Sequence, residues 1–273
     1  MLNKEHHRKL YADNPLGQPT VNPFFRSPNS DPRAPKPYWY MAFVLPIAIL
    51  AFNGIIQAMK SRFFGENGEH IPNILQYAPI DTENEQEVIS YLTYELFYQF
   101  GALGVYDNPV DLFINLWRIP VTLFIHADFS HLLANVSMLI VIWLIAQRHM
   151  RNGLLFLLFS ITGVLSAITF ELTTKAGDQT ILIGASCAIY AIVLCTFTYF
   201  TLNLRNPYNG VKLSSVTYFI TGLMTLIIIG DLIENPNIHT NISHATGILT
   251  GIVFGVVVYF KQRATKPMTK PIK

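Results

Sequence analysis

The chain has 273 residues, 51% of them hydrophobic and 13% charged, with a net charge of +2 and a mean hydropathy of +0.34. The charged share is about half that of a soluble protein and the apolar residues fall in long runs. A soluble domain built on one large core is therefore excluded in favour of a multispanning membrane protein.

Residues 1–37 carry Lys4, His6, His7, Arg8, Lys9, Arg26, Arg33 and Lys36 among several prolines, and read as a loosely ordered basic tail with no cleavable signal peptide. Tyr38–Met59 is the first expected span, opened by Tyr38, Trp39 and Tyr40 in the manner of an interfacial aromatic belt. Residues 61–116 form a long loop bearing Glu66, Glu69, Asp81, Glu83, Glu85, Glu87 and Glu95. Within it the aromatic-rich stretch Val88–Gly104 is too polar to span. It reads either as an interfacial segment or as a soluble amphipathic helix.

The second to sixth spans are expected at Phe129–Ala146, Leu154–Phe170, Thr180–Tyr199, Val216–Ile233 and His244–Phe260. Lys and Arg mark the N-terminal tail, the 2–3 and 4–5 loops and the C-terminal tail. The 1–2, 3–4 and 5–6 loops are acidic or nearly uncharged, apart from Lys60 and Arg62 beside the first span. The positive-inside rule then gives six spans with both ends cytoplasmic. The expected organisation is a basic proline-rich cytoplasmic tail at 1–37, a six-helix membrane domain at 38–260 including the external loop, and a basic cytoplasmic tail at 261–273. The fold class is all-α.

In this topology spans two, four and six run from outside to inside, so their first residues share a depth near the outer face. His131 and Asn135 lie there on span two, Ser186 on span four and His244 on span six. Each has a bland reading taken singly: a membrane serine usually bonds its own backbone, and a histidine or asparagine near a helix end is often interfacial or packing. Together they offer a hydroxyl, a base and, from His131 and Asn135 four residues apart on one helix face, donors for a developing oxyanion. A proton path or ion site is the competing reading, but spans two, four and six turn apolar past their first turns and no internal repeat is seen. Gly247, Gly251 and Gly255 give span six a smooth face for close helix approach, and Gly184, Ala185 and Ala188 give span four small residues. If these faces meet, Ser186 and His244 touch.

The two cysteines, Cys187 and Cys195, lie about 12 Å apart along one helix and cannot bridge. There is no disulfide framework and no metal-ligand or H-E-x-x-H spacing. Asp231 in span five lacks a second intramembrane aspartate and reads as a helix-end or loop contact.

From Trp117 to Gly255 the chain resembles the rhomboid family of intramembrane serine proteases. The resemblance rests on Trp117-Arg118, His126, His131-Leu132-Leu133-Ala134-Asn135, Gly184-Ala185-Ser186 and His244-Ala245 with the glycines after it. It implies that Ser186 is the nucleophile and His244 its general base, a dyad without an aspartate. It further implies an oxyanion hole of His131, Asn135 and the Ser186 N–H. Tyr190 would pack against the histidine, Trp117-Arg118 would order the first loop, His126 would support that loop or its waters, and Gly184, Gly247 and Gly251 would support the helix contacts. The motif's usual fourth residue, glycine, is here Cys187, which would narrow the pocket or lower activity.

The activity so implied is peptide-bond hydrolysis in or near transmembrane segments, without a cofactor or metal. The expected partners are the lipid bilayer and transmembrane-protein substrates with helix-weakening residues near the cut, with no nucleic acid. The bacterial inner membrane is the expected location. A weak or inactive rhomboid-like protein that binds membrane-protein clients is the alternative.

Overall fold

A computed structural model describes residues 38–65, 70–75, 83–104, 106, 109–174, 181–204, 215–235 and 237–264. The basic tail at 1–37, most of the C-terminal tail and much of the 4–5 loop lie outside the described residues. Among the described residues, six helices are long and apolar enough to cross a membrane: α1 (Met41–Phe64), α6 (Phe129–Ala146), α7 (Asn152–Thr173), α8 (Ser186–Leu204), α9 (Ser215–Glu234) and α10 (Ile238–Ala264). Between α1 and α6 lie α2 (Ile71–Leu75), α3 (Glu85–Gln99), α4 (Pro109–Ile114) and α5 (Arg118–Thr122).

Helix α8 is the axis of the bundle. Its apolar window is 72% buried within the protein, against 22–50% for the other five. Helices α10, α7, α9 and α6 all pack on it, and α1 packs on α6. The main core joins Leu139, Ile142 and Trp143 of α6, Leu155 and Leu158 of α7, and Ile189 and Ile192 of α8.

Five of the six spans differ in their bounds from the sequence expectation, and the starts of α8 and α10 move for a local reason. Helix α8 starts at Ser186 and not at Thr180. Residues 181–185 run irregularly because Leu182 pairs with Leu103 in an isolated antiparallel bridge and Gly184 holds φ +100°, which only glycine adopts without strain. Helix α10 starts at Ile238, well before His244. Asn237 caps it, its Oδ1 accepting from the His239 and Thr240 N–H groups at 3.0 and 3.2 Å. Helix α1 runs on to Phe64.

Helix α3 packs on the rest of the protein rather than standing detached from it. Leu96 and Phe97 sink into a second cluster with Ile56 of α1, Ala102 and Ile125, against Ile181 and Ile183 of the stretch before α8. The first loop thus folds onto the protein beside the start of α8.

Candidate active site

Helices α8 and α10 meet at backbone distance. A Cβ built on Gly247 would lie 2.3 Å from the Cys187 carbonyl oxygen, one on Gly251 2.4 Å from that of Ala191, and one on Gly255 2.7 Å from that of Cys195. The glycine face of α10 therefore rides on the Cys187–Ala191–Cys195 line of α8, rather than on the Gly184, Ala185 and Ala188 positions that composition favoured. This approach brings Ser186 Oγ to 2.8 Å from His244 Nε2, a buried contact between residues 58 apart in sequence. Ser186 and His244 are each 5% exposed.

The stretch before Ser186 is held by Thr122 of α5. Its hydroxyl donates to the Leu182 carbonyl and accepts from the Leu103 N–H at 3.4 Å, while its carbonyl accepts from the Gly184 N–H at 3.0 Å. Side chains of α6 close over this turn. A Cβ on Gly184 would meet His131 Cε1 at 3.0 Å and Asn135 Nδ2 at 4.0 Å. His131 and Asn135 thus flank the turn leading into Ser186. Asn135 Nδ2 is buried with no hydrogen-bond partner among the described residues. The turn that sets them in place comes from Asp128, which caps α6 by accepting from the His131 N–H at 2.8 Å and from the Ser130 hydroxyl at 2.5 Å. These bonds, the Ser130 hydroxyl first, hold its carboxyl below the usual range.

His126 stands behind His131, their rings 5.0 Å apart edge to face. Its N–H bonds Asn53 Oδ1 at 3.0 Å, and Asn53 Nδ2 reaches back to the Phe124 carbonyl at 2.6 Å. Burial, helped by His131, pushes His126 down to about 4, although its Nδ1 bond to the Phe124 carbonyl opposes the shift.

Tyr190, one turn after Ser186, lays its ring 4.8 Å from that of His244. Its hydroxyl donates to Asp231 Oδ2 at 2.8 Å, and the same oxygen lies 3.0 Å from His244 Nδ1. The resemblance implies a dyad without an aspartate, and the sequence offers Asp231 only as a helix-end contact. In the structure this carboxylate stands beside the histidine.

Arg118 and Trp117 order the first loop at a distance from Ser186. The Arg118 guanidinium donates to the Tyr98 carbonyl at 2.5 Å, to the Ala102 carbonyl at 3.2 Å and to Asn115 Oδ1 at 2.9 Å. It also lies over the Tyr98 ring at 4.1 Å. Trp117 covers Gly101, where φ is +99° and a Cβ would meet the indole at 2.8 Å. Cys187 is buried at the α8–α10 seam, 3% exposed.

Sequence reasoning passed over Asn53 and Thr122. An amide in the middle of an apolar span was the available signal for Asn53. Thr122 carried none, because its partners lie at residues 103, 182 and 184.

Residues 114–261 match the family model described as Rhomboid domain, which is more than half of the chain. The chain is also 25% identical over 170 residues to Rhomboid-related protein 1 of Caenorhabditis elegans, an alignment covering 58% of this chain and 44% of that relative. The chain thus spans less than half the length of that curated relative. With six apolar helices and this match over the domain that holds Ser186 and His244, the chain is an integral, multi-pass membrane protein and belongs to the rhomboid family.

Proposed function

We propose that the protein is an intramembrane serine endopeptidase that hydrolyses peptide bonds in or near transmembrane segments. The observation that carries this reading is the buried 2.8 Å contact between Ser186 Oγ and His244 Nε2. Ser186 Oγ attacks the scissile carbonyl carbon while its proton passes to His244 Nε2. The tetrahedral oxyanion is held by the Ser186 N–H at the start of α8 and by His131 and Asn135. Collapse breaks the C–N bond, and the proton moves from His244 to the leaving amine. Water, deprotonated by His244, then releases the acyl group and restores Ser186.

The N–H of Ser186 supports this role on helix geometry. The first residues of a helix have no intrahelical acceptor for their N–H groups, and the helix dipole favours negative charge there. The orphaned amide of Asn135 supports it as well, because a buried donor without a partner is costly unless some state of the site uses it. A substrate helix must open locally before attack, since its peptide bonds are closed by internal hydrogen bonds. Helix-weakening residues near the cut are therefore part of the substrate class. The cytoplasmic placement of both tails belongs to the same proposal and rests on the Lys and Arg pattern.

A client-binding protein without activity is the second reading, and Cys187 beside the nucleophile is the observation in its favour. The test is cleavage of a single-span reporter, its segment weakened by Gly and Pro, by the purified chain in detergent. Cleavage by wild type and by neither Ser186→Ala nor His244→Ala supports the protease. Equal cleavage by all three refutes it. No cleavage by wild type or by Cys187→Gly, with the fold intact, favours the client-binding reading.

A further inference from the structure

Asp231 lies near the C-terminal end of α9. The buried residues of that helix are Thr221, Met224 and Ile228, and Asp231 follows Ile228 by three positions, on the same face. The periodicity that packs α9 on α8 therefore directs one carboxylate at the site. A carboxylate within an apolar span is costly unless it is paired. Asp231 Oδ2 is paired twice, by the Tyr190 hydroxyl of α8 at 2.8 Å and at 3.0 Å from His244 Nδ1 of α10. One oxygen thus ties together the helix that carries Ser186, the helix that carries His244, and α9.

We propose that Asp231 is a positioning residue for the reaction: it holds the His244 ring through Nδ1, with Tyr190 fixing the carboxylate, so that Nε2 stays turned toward Ser186 Oγ. The inference rests on the serine-protease reading above and adds to it a third partner.

The chemistry follows from the two ring nitrogens. An acceptor at Nδ1 selects the neutral tautomer with its proton on Nδ1, which leaves the Nε2 lone pair free to take the proton of Ser186. The opposite tautomer would present N–H to Ser186 and could not act as base. In the described state Oδ2 lies off the axis of the ring N–H, so the 3.0 Å approach is not a straight hydrogen bond. The contact strengthens when His244 becomes a cation, because a charge-assisted bond between opposite charges is stronger than the neutral one. The Asp231 side chain is 39% exposed, so water screens part of this effect. Its weight is accordingly smaller than for a fully buried triad aspartate.

The test uses the full chain in detergent with two readouts: the rate at which a fluorophosphonate probe labels Ser186, and kcat and KM on the single-span reporter. Asp231→Asn keeps the size and loses the charge. It is expected to lower both the labelling rate and kcat by roughly 10- to 100-fold, with KM within about twofold and the thermal midpoint unchanged. Asp231→Glu restores the charge on a longer stem and recovers part of kcat. Tyr190→Phe leaves the carboxylate beside Nδ1 but unanchored, and loses less than Asp231→Asn. If Asp231→Asn labels and cuts within about twofold of wild type, the inference is overturned. It is overturned equally if Asp231→Asn and Asp231→Glu lose activity alike in step with a lowered thermal midpoint, which marks a purely structural role. Wild type that fails to label, or Ser186→Ala that labels as wild type does, removes the serine-protease reading itself and this inference with it. Labelling of wild type alone, with Asp231→Asn at the wild-type rate, removes only the inference.

Discussion

Gly247→Ala tests whether the seam between α8 and α10 sets the reactive distance. The added Cβ would fall 2.3 Å from the Cys187 carbonyl oxygen, 3.0 Å from its carbonyl carbon and 3.1 Å from its Cα. A carbon–oxygen contact needs about 3.3 Å even where a weak C–H bond forms, so the helices must part by about 1 Å. None of the three atoms can turn aside, since all are backbone. Overpacking of this kind costs about 1–3 kcal/mol, and a backbone clash belongs at the upper end. Alanine is the better helix former by about 1 kcal/mol, which leaves a net loss of about 2 kcal/mol. The displacement falls at the site itself, because Cys187 adjoins Ser186 and Gly247 lies one turn from His244. A Ser186–His244 separation of 2.8 Å opened by about 1 Å is no longer a hydrogen bond, and a misplacement of that size costs about 100-fold in rate. Thermal unfolding and the probe-labelling rate of Ser186 check both parts. Gly251→Ala should destabilise similarly but slow labelling less, its clash with Ala191 lying a turn further from Ser186. Gly54→Ala is the control, since nothing lies within 4 Å of its Cβ. Wild-type stability and labelling in Gly247→Ala would refute the seam argument.

Two further perturbations probe the surroundings of the site. Arg118→Ala strips donors from the Tyr98 and Ala102 carbonyls, at about 1–3 kcal/mol for each buried acceptor left alone. Hydrogen exchange at the Ala102 and Leu103 amides should quicken by about 100-fold, and unchanged exchange would show that Arg118 does not order this loop. His126 stays neutral in the fold, held at about 4 against about 6.5 in the unfolded chain. The unfolded state therefore binds the extra proton, and stability falls as pH drops from about 6.5 to 4 and levels off below, by about 3 kcal/mol in full. Denaturant midpoints of wild type and His126→Gln across this window measure the effect. Part of the slope survives in the variant, because burial also holds His149 at about 4. Identical slopes in the two proteins would refute the assignment.

The parts of this structure that were legible in the sequence are those that run against their surroundings. Apolar runs broken by polar loops give the six spans, and Phe129–Ala146 is recovered to the residue. Glycines at 247, 251 and 255 announce a close seam, but its partner line could not be read. The small residues near the start of the fourth run looked like the match, whereas Gly247 and Gly251 meet the backbone of Cys187 and Ala191. Backbone contact depends on helix rotation and not on side-chain size. The irregular stretch before Ser186 was hidden for a related reason: Ile181, Leu182 and Ile183 are as apolar as the helix that follows. What keeps them out of it is the Leu103 bridge and Thr122, both distant in sequence. Asp231 was visible as a carboxylate in a span. Its meaning required knowing that α9 turns that face toward Tyr190 and His244, which no local pattern states.

That irregular stretch also explains how a membrane serine escapes its ordinary fate. A hydroxyl inside a helix usually donates to the carbonyl four residues earlier. In this protein Thr169, Thr196, Thr201, Thr221, Thr225 and Thr250 all do so, at 2.7–3.1 Å. Ser186 is the first residue of α8, and the residue four positions back is Leu182, whose carbonyl already accepts the Thr122 hydroxyl. Ser186 is left without a helical acceptor, and its hydroxyl lies 2.8 Å from His244 Nε2. A helix begun one turn earlier would keep the same apolar run, the same serine and the same histidine, and would offer the hydroxyl a backbone carbonyl in competition with the imidazole. The break at Gly184 is therefore as much a part of the site as the side chains. It frees the serine oxygen from a helical acceptor and sets the start of a new helix, where N–H groups lack intrahelical acceptors, beside it.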